Sequence, residues 1–234
     1  MKRFFCLFLT AVLFISLTAC TSNENLDKVE VPPEYMSTPC SKDFVDDFMS
    51  VIDEVELGGL YSGMKLDKEH CYNVTPICVA EQTDFKIFKF SDSCVSFVLI
   101  DGAAYLICES FGGYGFFNAV PWDYDGDSNL DLLVASSWGS GLHRSVISVF
   151  NTITKESVII YDTSTTDDHS VDLFVAESTP SSSYSEDLPV SYQIYTAKIE
   201  VKNDNFSDLS YVATGVAGSV AVENGMPVFK PMGE

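Results

Sequence analysis

The chain has 234 residues, with 13 basic against 34 acidic side chains and a formal net charge of −21 at pH 7. Such an excess of negative charge repels nucleic-acid phosphates and anionic lipid surfaces, so neither is a partner for this surface. The length gives room for one domain with a sizeable core, or for two small ones.

At the N-terminus, Lys2 and Arg3 precede an almost unbroken apolar run from Phe4 to Leu17. A charged start followed by a short apolar stretch is the layout of a secretory signal, and the stretch is short for a membrane span. The run closes on Leu17-Thr18-Ala19-Cys20, which resembles the lipobox of bacterial lipoproteins. That resemblance implies a signal peptide over residues 1–19, cleavage before Cys20 and a diacylglycerol on the Cys20 sulfur. It also implies a membrane partner held through that lipid, on the extracytoplasmic side of the cell membrane or envelope. One acyl chain holds a protein only marginally, and two or more hold it durably.

Residues 20–39 follow as a tether, polar and broken by Pro32-Pro33. A flexible stretch of this length has an end-to-end distance on the order of 25 Å. Residues 40–234 then form the folded part, expected to be a single β-rich domain.

From Ser41 to Glu56, Phe44, Val45, Phe48, Met49, Ile52 and Val55 recur at three- and four-residue intervals among acids. The spacing predicts one short amphipathic helix ended by Gly58-Gly59. Its polar face is acidic, whereas a helix lying on a membrane wants basic residues there.

After the helix, the segments favour strands. TDFKIFKFS, CVSFVLI, AAYLICESF, GFFNAVPW, LDLLVASSW, RSVISVFN, ESVIIYDT, SVDLFVAES, SYQIYTAKIEV, SYVATGV, GSVAVEN and MPVFKP are short and rich in β-branched and aromatic residues. Asp101-Gly102 and Asn224-Gly225 supply hairpin turns. The expected fold is all-β, an antiparallel meander that is propeller-blade-like or a sandwich. No repeat of blade length is visible, which argues against a closed propeller. Ser178 to Pro189 reads as an exposed polar loop.

Cys6 leaves with the signal and Cys20 takes lipid, so Cys40, Cys71, Cys78, Cys94 and Cys108 remain. An odd number leaves at least one thiol free or paired between chains. Cys94 and Cys108 flank a hairpin and can form a cross-strand disulfide; Cys71 and Cys78 are the other local candidates.

One segment carries chemistry: Trp122-Asp123-Tyr124-Asp125-Gly126-Asp127-Ser128-Asn129-Leu130-Asp131. Acids at alternate positions around a tight turn repel one another unless a cation sits among them. Calcium takes six to eight oxygens in a flexible shell, and such a loop supplies them. Asp123, Asp125 and Asp127 are the first ligands, Asn129 adds a carbonyl or side-chain oxygen, and Asp131 closes the site. The alternative is a solvated acidic turn that holds no ion. An EF-hand is ruled out, because its twelfth position demands a bidentate Glu and here falls on Val134.

The segment resembles instead the FG-GAP or VCBS-type repeat, in which an Asp-x-Asp-Gly-Asp-Gly-x-x-Asp-Leu loop leads into a strand. Integrin-like propeller blades belong to that family, and a calcium ion there pins the loop between two strands. The resemblance assigns Asp123, Asp125, Asp127, Asn129 and Asp131 to the ion, in a structural role. Phe111-Gly112-Gly113 and Trp138-Gly139-Ser140-Gly141 echo the family's flanking glycines. Ser128 departs from it, standing where the family has glycine; if that position needs φ > 0, serine weakens the site. Extracellular calcium fills a site with a dissociation constant of about 10⁻⁴–10⁻³ M.

Nothing else assembles into a catalytic pattern. His70, His143 and His169 lie in separate segments, and His70-Cys71 with Cys78 lacks zinc-site spacing. Ser140 has no nucleophile elbow around it. The expected function is therefore a non-enzymatic binding or scaffold module for an extracytoplasmic protein or glycan. The alternative is an envelope hydrolase, or an accessory subunit of an envelope enzyme.

Overall fold

A computed structural model describes residues 31–52, 63–108, 112–139, 144–165, 171–178 and 191–233. The signal segment, residues 20–30 of the expected tether, Gly58-Gly59 and the loop after Ser178 lie outside the described residues. The end of that tether is no free linker, because Tyr35 packs in a core cluster and buried Thr38 donates to the Phe117 carbonyl at 2.9 Å. Among the described residues no helix is long and apolar enough to cross a membrane.

Helix α1 spans Val45–Ile52, with Val45, Phe48 and Ile52 buried. Those positions are the i, i+3 and i+7 stripe of one helical face. Phe44 was expected on that face and is not there. It takes φ 61° just before the helix, is 54% exposed, and its ring lies 4.9 Å from the Lys86 ammonium. A second helix, α2, runs over Ile77–Gln82 behind Pro76, where sequence periodicity had shown no helix. Six residues are too few to display a period, and the helix holds its place by burying Val79 and by the Thr83 hydroxyl donating to the Val79 carbonyl at 2.8 Å.

Twelve strands form three sheets of four, each an antiparallel meander of consecutive strands. Sheet 1 contains β1 (Cys71–Asn73), β2 (Lys86–Phe90), β3 (Ser96–Ile100) and β4 (Ala103–Cys108). Sheet 2 contains β5 (Gly115–Trp122), β6 (Asp131–Trp138), β7 (Arg144–Asn151) and β8 (Glu156–Asp162). Sheet 3 contains β9 (Asp172–Glu177), β10 (Tyr192–Val201), β11 (Leu209–Glu223) and β12 (Met226–Pro231). The fold is thus all-β, with each sheet a meander and the sheets stacked as in a sandwich.

Both expected hairpin turns are present. Asp101 and Gly102 have φ 52° and 77°, and Asn224 and Gly225 have φ 53° and 77°, the paired left-handed backbone of a two-residue turn that matches strand twist. Two expectations about strands fail. Cys71–Asn73 is a strand that was not foreseen, and β11 runs unbroken through Ala217-Gly218. Gly218 interrupts nothing because it is a contact point: a Cβ there would overlap the Lys230 carbonyl and the Phe229 ring of β12.

Sheet 2 is the middle layer, and its sequence says why. Along β6, Leu132 and Val134 join one core cluster with Val98 and Ile107 of sheet 1, while Leu133 and Ala135 join another with Phe174 and Ile194 of sheet 3. Alternate side chains therefore serve opposite cores, and the strand reads as a continuous apolar run. Each fully buried Leu, Val or Phe contributes about 1.5–3 kcal/mol. Helix α1 covers the outer face of sheet 1, where Phe48 stacks on Phe88 with centroids 4.2 Å apart.

Sheets 2 and 3 are also tied by one side chain. Buried Asn118 donates to the Val175 carbonyl at 2.6 Å and accepts from the Val175 N–H at 3.1 Å. An amide so placed imitates a neighbouring strand, and β5 is bulged around it, between Phe116 and Asn118.

The expected Cys94–Cys108 disulfide is not formed; all five described cysteines are free thiols. Cys94 sits in the turn before β3 with φ 58°, and the residue opposite Cys108 is Ser96. Cys94 stands two residues before the partner of Cys108, ahead of the register shift between Ser96 and Phe97.

Candidate metal centre

The acidic loop joins β5 to β6, the first two strands of the middle sheet. Its alternation separates two kinds of residue. Trp122 and Tyr124 face the protein, with ring centroids 5.9 Å apart and Trp122 also against Tyr192 at 6.2 Å. Between and beyond them the acids face outward.

The turn is wound by its own carboxylates. Asp123 accepts from the N–H of Gly126 at 2.8 Å and of Ser128 at 3.1 Å. Asp125 accepts from Asp127 N–H at 3.2 Å, and Asp127 from Asn129 N–H at 2.7 Å. Gly126 and Ser128 have φ 75° and 70°, so the position occupied by serine does require left-handed backbone. Asp123, Asp125 and Asp127 each bring a carboxylate oxygen within 4.8 Å of the other two. Three like charges gathered this closely repel one another, and a cation among them reverses the sign of the interaction.

Asp131, the first residue of β6, differs from these three. It is 1% exposed. Its Oδ1 accepts from the Thr152 N–H at 2.7 Å and the Thr152 hydroxyl at 3.3 Å, while buried Oδ2 has no hydrogen-bond partner. Burial raises its pKa; the Thr152 bonds oppose this, and the charges of Asp125 and Asp127 add to the rise. Gathered carboxylate oxygens are ligands of the kind a hard cation takes, and the unpartnered Oδ2 of Asp131 feels the charges of Asp125 and Asp127. Asp131 nevertheless lies outside the close triad, and Asn129 is an exposed loop residue whose N–H braces Asp127.

Thr152 was not foreseen. It stands in the β7–β8 turn, and its hydroxyl also donates to the Leu130 carbonyl at 2.9 Å. The acidic loop is therefore tied to the next turn of the sheet through Asp131. Nothing in the local sequence signals a partner 21 residues away.

Other candidates fall apart. Among the described residues the His70 ring reaches only the Ser91 hydroxyl, at 3.5 Å, and Cys71 and Cys78 belong to different core clusters. Arg144 lies over the Trp138 ring at 5.0 Å. Ser140, Gly141, His143, His169 and Phe111 lie outside the described residues. Gly113 packs against the Ser137–Trp138 backbone so closely that a Cβ would overlap it, at the end of the β5–β6 pair away from the acidic loop. No protein-family model, no curated protein and no solved structure matches the chain.

Proposed function

We propose that the protein is an exported lipoprotein, anchored through Cys20, whose β domain is stabilised by one calcium ion and serves as a binding or scaffold module for an extracytoplasmic protein or glycan. The observation that carries the calcium part is the pairing of a carboxylate triad with the orphaned Oδ2 of buried Asp131. Asp123, Asp125 and Asp127 hold the ion, and Asp131 answers its charge from the sheet side. Calcium supplies positive charge that offsets repulsion in the turn and adds nothing that this reading treats as catalytic. By holding the β5–β6 loop, the ion also stiffens the β7–β8 turn that Thr152 ties to it.

The anchor rests on the Lys2-Arg3 start, the apolar run and Leu17-Thr18-Ala19-Cys20. The charge of −21 argues against nucleic acid as the partner. Two measurements test the reading. Calcium titration of the full chain by calorimetry is expected to give one ion per chain, and Asp127→Ala to abolish it; no heat in the parent chain refutes the calcium site. Expression in a bacterial host is expected to place the chain in the membrane fraction with an acylated N-terminus, and Cys20→Ala to release it. An unacylated parent chain in the soluble fraction refutes the anchor. The partner is sought by pull-down from envelope extract with calcium and with chelator, and a scaffold role predicts capture that depends on calcium.

A further inference from the structure

On the face of sheet 2 that packs toward sheet 1, aligned residues form rows across β6, β7 and β8. One row is Leu132, Phe150 and Ser157; the next is Val134, Ser148 and Ile159; the third is Ser136, Val146 and Asp162. Leu132, Val134 and Phe150 are core side chains of full size. Beyond them serines take the place of large apolar groups, and the packing gives way to a cavity of about 350 Å³. Its opposite wall is the C-terminal part of β4, the last strand of sheet 1. Small-molecule pockets run from about 300 to 1,000 Å³, so this one suits a small ligand.

The polar groups in the cavity are few and placed apart. Ser148 is 4% exposed and lines the cavity, with no side-chain hydrogen bond to another described residue. Ser136, by contrast, is engaged with the Cys108 thiol. Asp162 accepts from the Ser164 N–H through Oδ1 at 2.7 Å and makes no ion pair among the described residues. Of the cations on β7 and the turn after it, Lys155 lies over the Tyr105 ring and Arg144 over Trp138 at the rim of the cavity, and neither pairs with Asp162. Leu106, Val146, Ile159 and Trp138 supply apolar surface between these polar groups.

We propose that this cavity binds a small organic ammonium ion with a hydroxyl at its other end. The ammonium pairs with Asp162, the apolar body fills the space left by the serines, and the hydroxyl meets Ser148. Ser148 on β7 and Asp162 on β8 stand two rows apart, about 7 Å along the strands, and one strand spacing of about 5 Å across, so the ligand spans roughly 8 Å. A carboxylate ligand is disfavoured by Asp162 and by the net charge of −21. The site goes beyond the scaffold reading and stands whether or not the Asp123–Asp131 loop takes an ion.

Calorimetric titration of the full chain with tyramine tests this, in calcium and in chelator. Saturable binding is expected in both. Its carboxylate counterpart, 3-(4-hydroxyphenyl)propionate, is expected to bind at least tenfold more weakly, and so is tyramine to Asp162→Asn, which keeps the oxygen that caps Ser164. Ser148→Leu fills the cavity and is expected to abolish binding. If that variant does not fold, Ser148→Ala decides the point: it must lose the parent chain's preference for tyramine over 2-phenylethylammonium. No saturable binding, equal affinity for the carboxylate, or an unchanged preference in Ser148→Ala overturns the proposal.

Discussion

Lys89 is a lysine with 0% exposure, and its ammonium donates to the Phe116 carbonyl at 3.0 Å, where a carboxylate would be the usual partner. Burial lowers its pKa to about 8, against a smaller opposing pull from neighbouring thiols. A folded pKa below the unfolded value means that the unfolded chain binds more protons between about pH 8 and 10.5, so stability rises with pH across that window and is lost as pH falls through 8. The buried thiols, whose pKa values burial raises, pull the other way above about pH 9, so the rise is read as a difference. Denaturant melts are expected to show the parent chain gaining on Lys89→Met between about pH 8 and 10, with the variant the more stable at pH 7. A stability difference between the two chains that does not change from pH 8 to 10 contradicts the assignment. At Ser128 the issue is backbone. With φ 70°, glycine costs nothing sterically, and Ser128→Gly is expected to add about 1 kcal/mol to stability by denaturant melting. An unchanged midpoint removes the strain argument.

At the scale of elements, the Asn118 clamp makes a sharper prediction than any apolar contact. Asn118→Ala strands the buried N–H and C=O of Val175, each worth about 1–3 kcal/mol when left unpaired. A loss of about 3 kcal/mol is expected, and a loss below 1 kcal/mol means that β5 and β9 are held together by apolar packing alone. Most strands were legible in the sequence because β-branched and aromatic runs end at turn residues: β5, β7 and β12 match their expected bounds. What escaped was short or distant. Helix α2 has too few residues for a period, β1 has only Cys71–Asn73, and Gly218 mimics a turn while serving a close contact. In the site, alternate acids made Asp123, Asp125 and Asp127 visible. The Asp131–Thr152 bond and the serines of the cavity were not, because tertiary pairing alone gives them meaning.

The whole molecule is a stack of α1, sheet 1, sheet 2 and sheet 3, with the acidic loop at one end of the middle layer. That layer touches both cores, so an ion at its β5–β6 loop acts on the part of the fold with most to lose. The chain carries a net charge of −21, and the proposed calcium ion would offset the part of it gathered in the β5–β6 loop. The most direct measurement of this account is the melting temperature of the full chain in millimolar calcium and in chelator, with Asp127→Ala beside it. A higher melting temperature in calcium is expected for the parent chain and no difference for the variant, while equal melting of the parent chain in both solutions contradicts the calcium-stabilised domain.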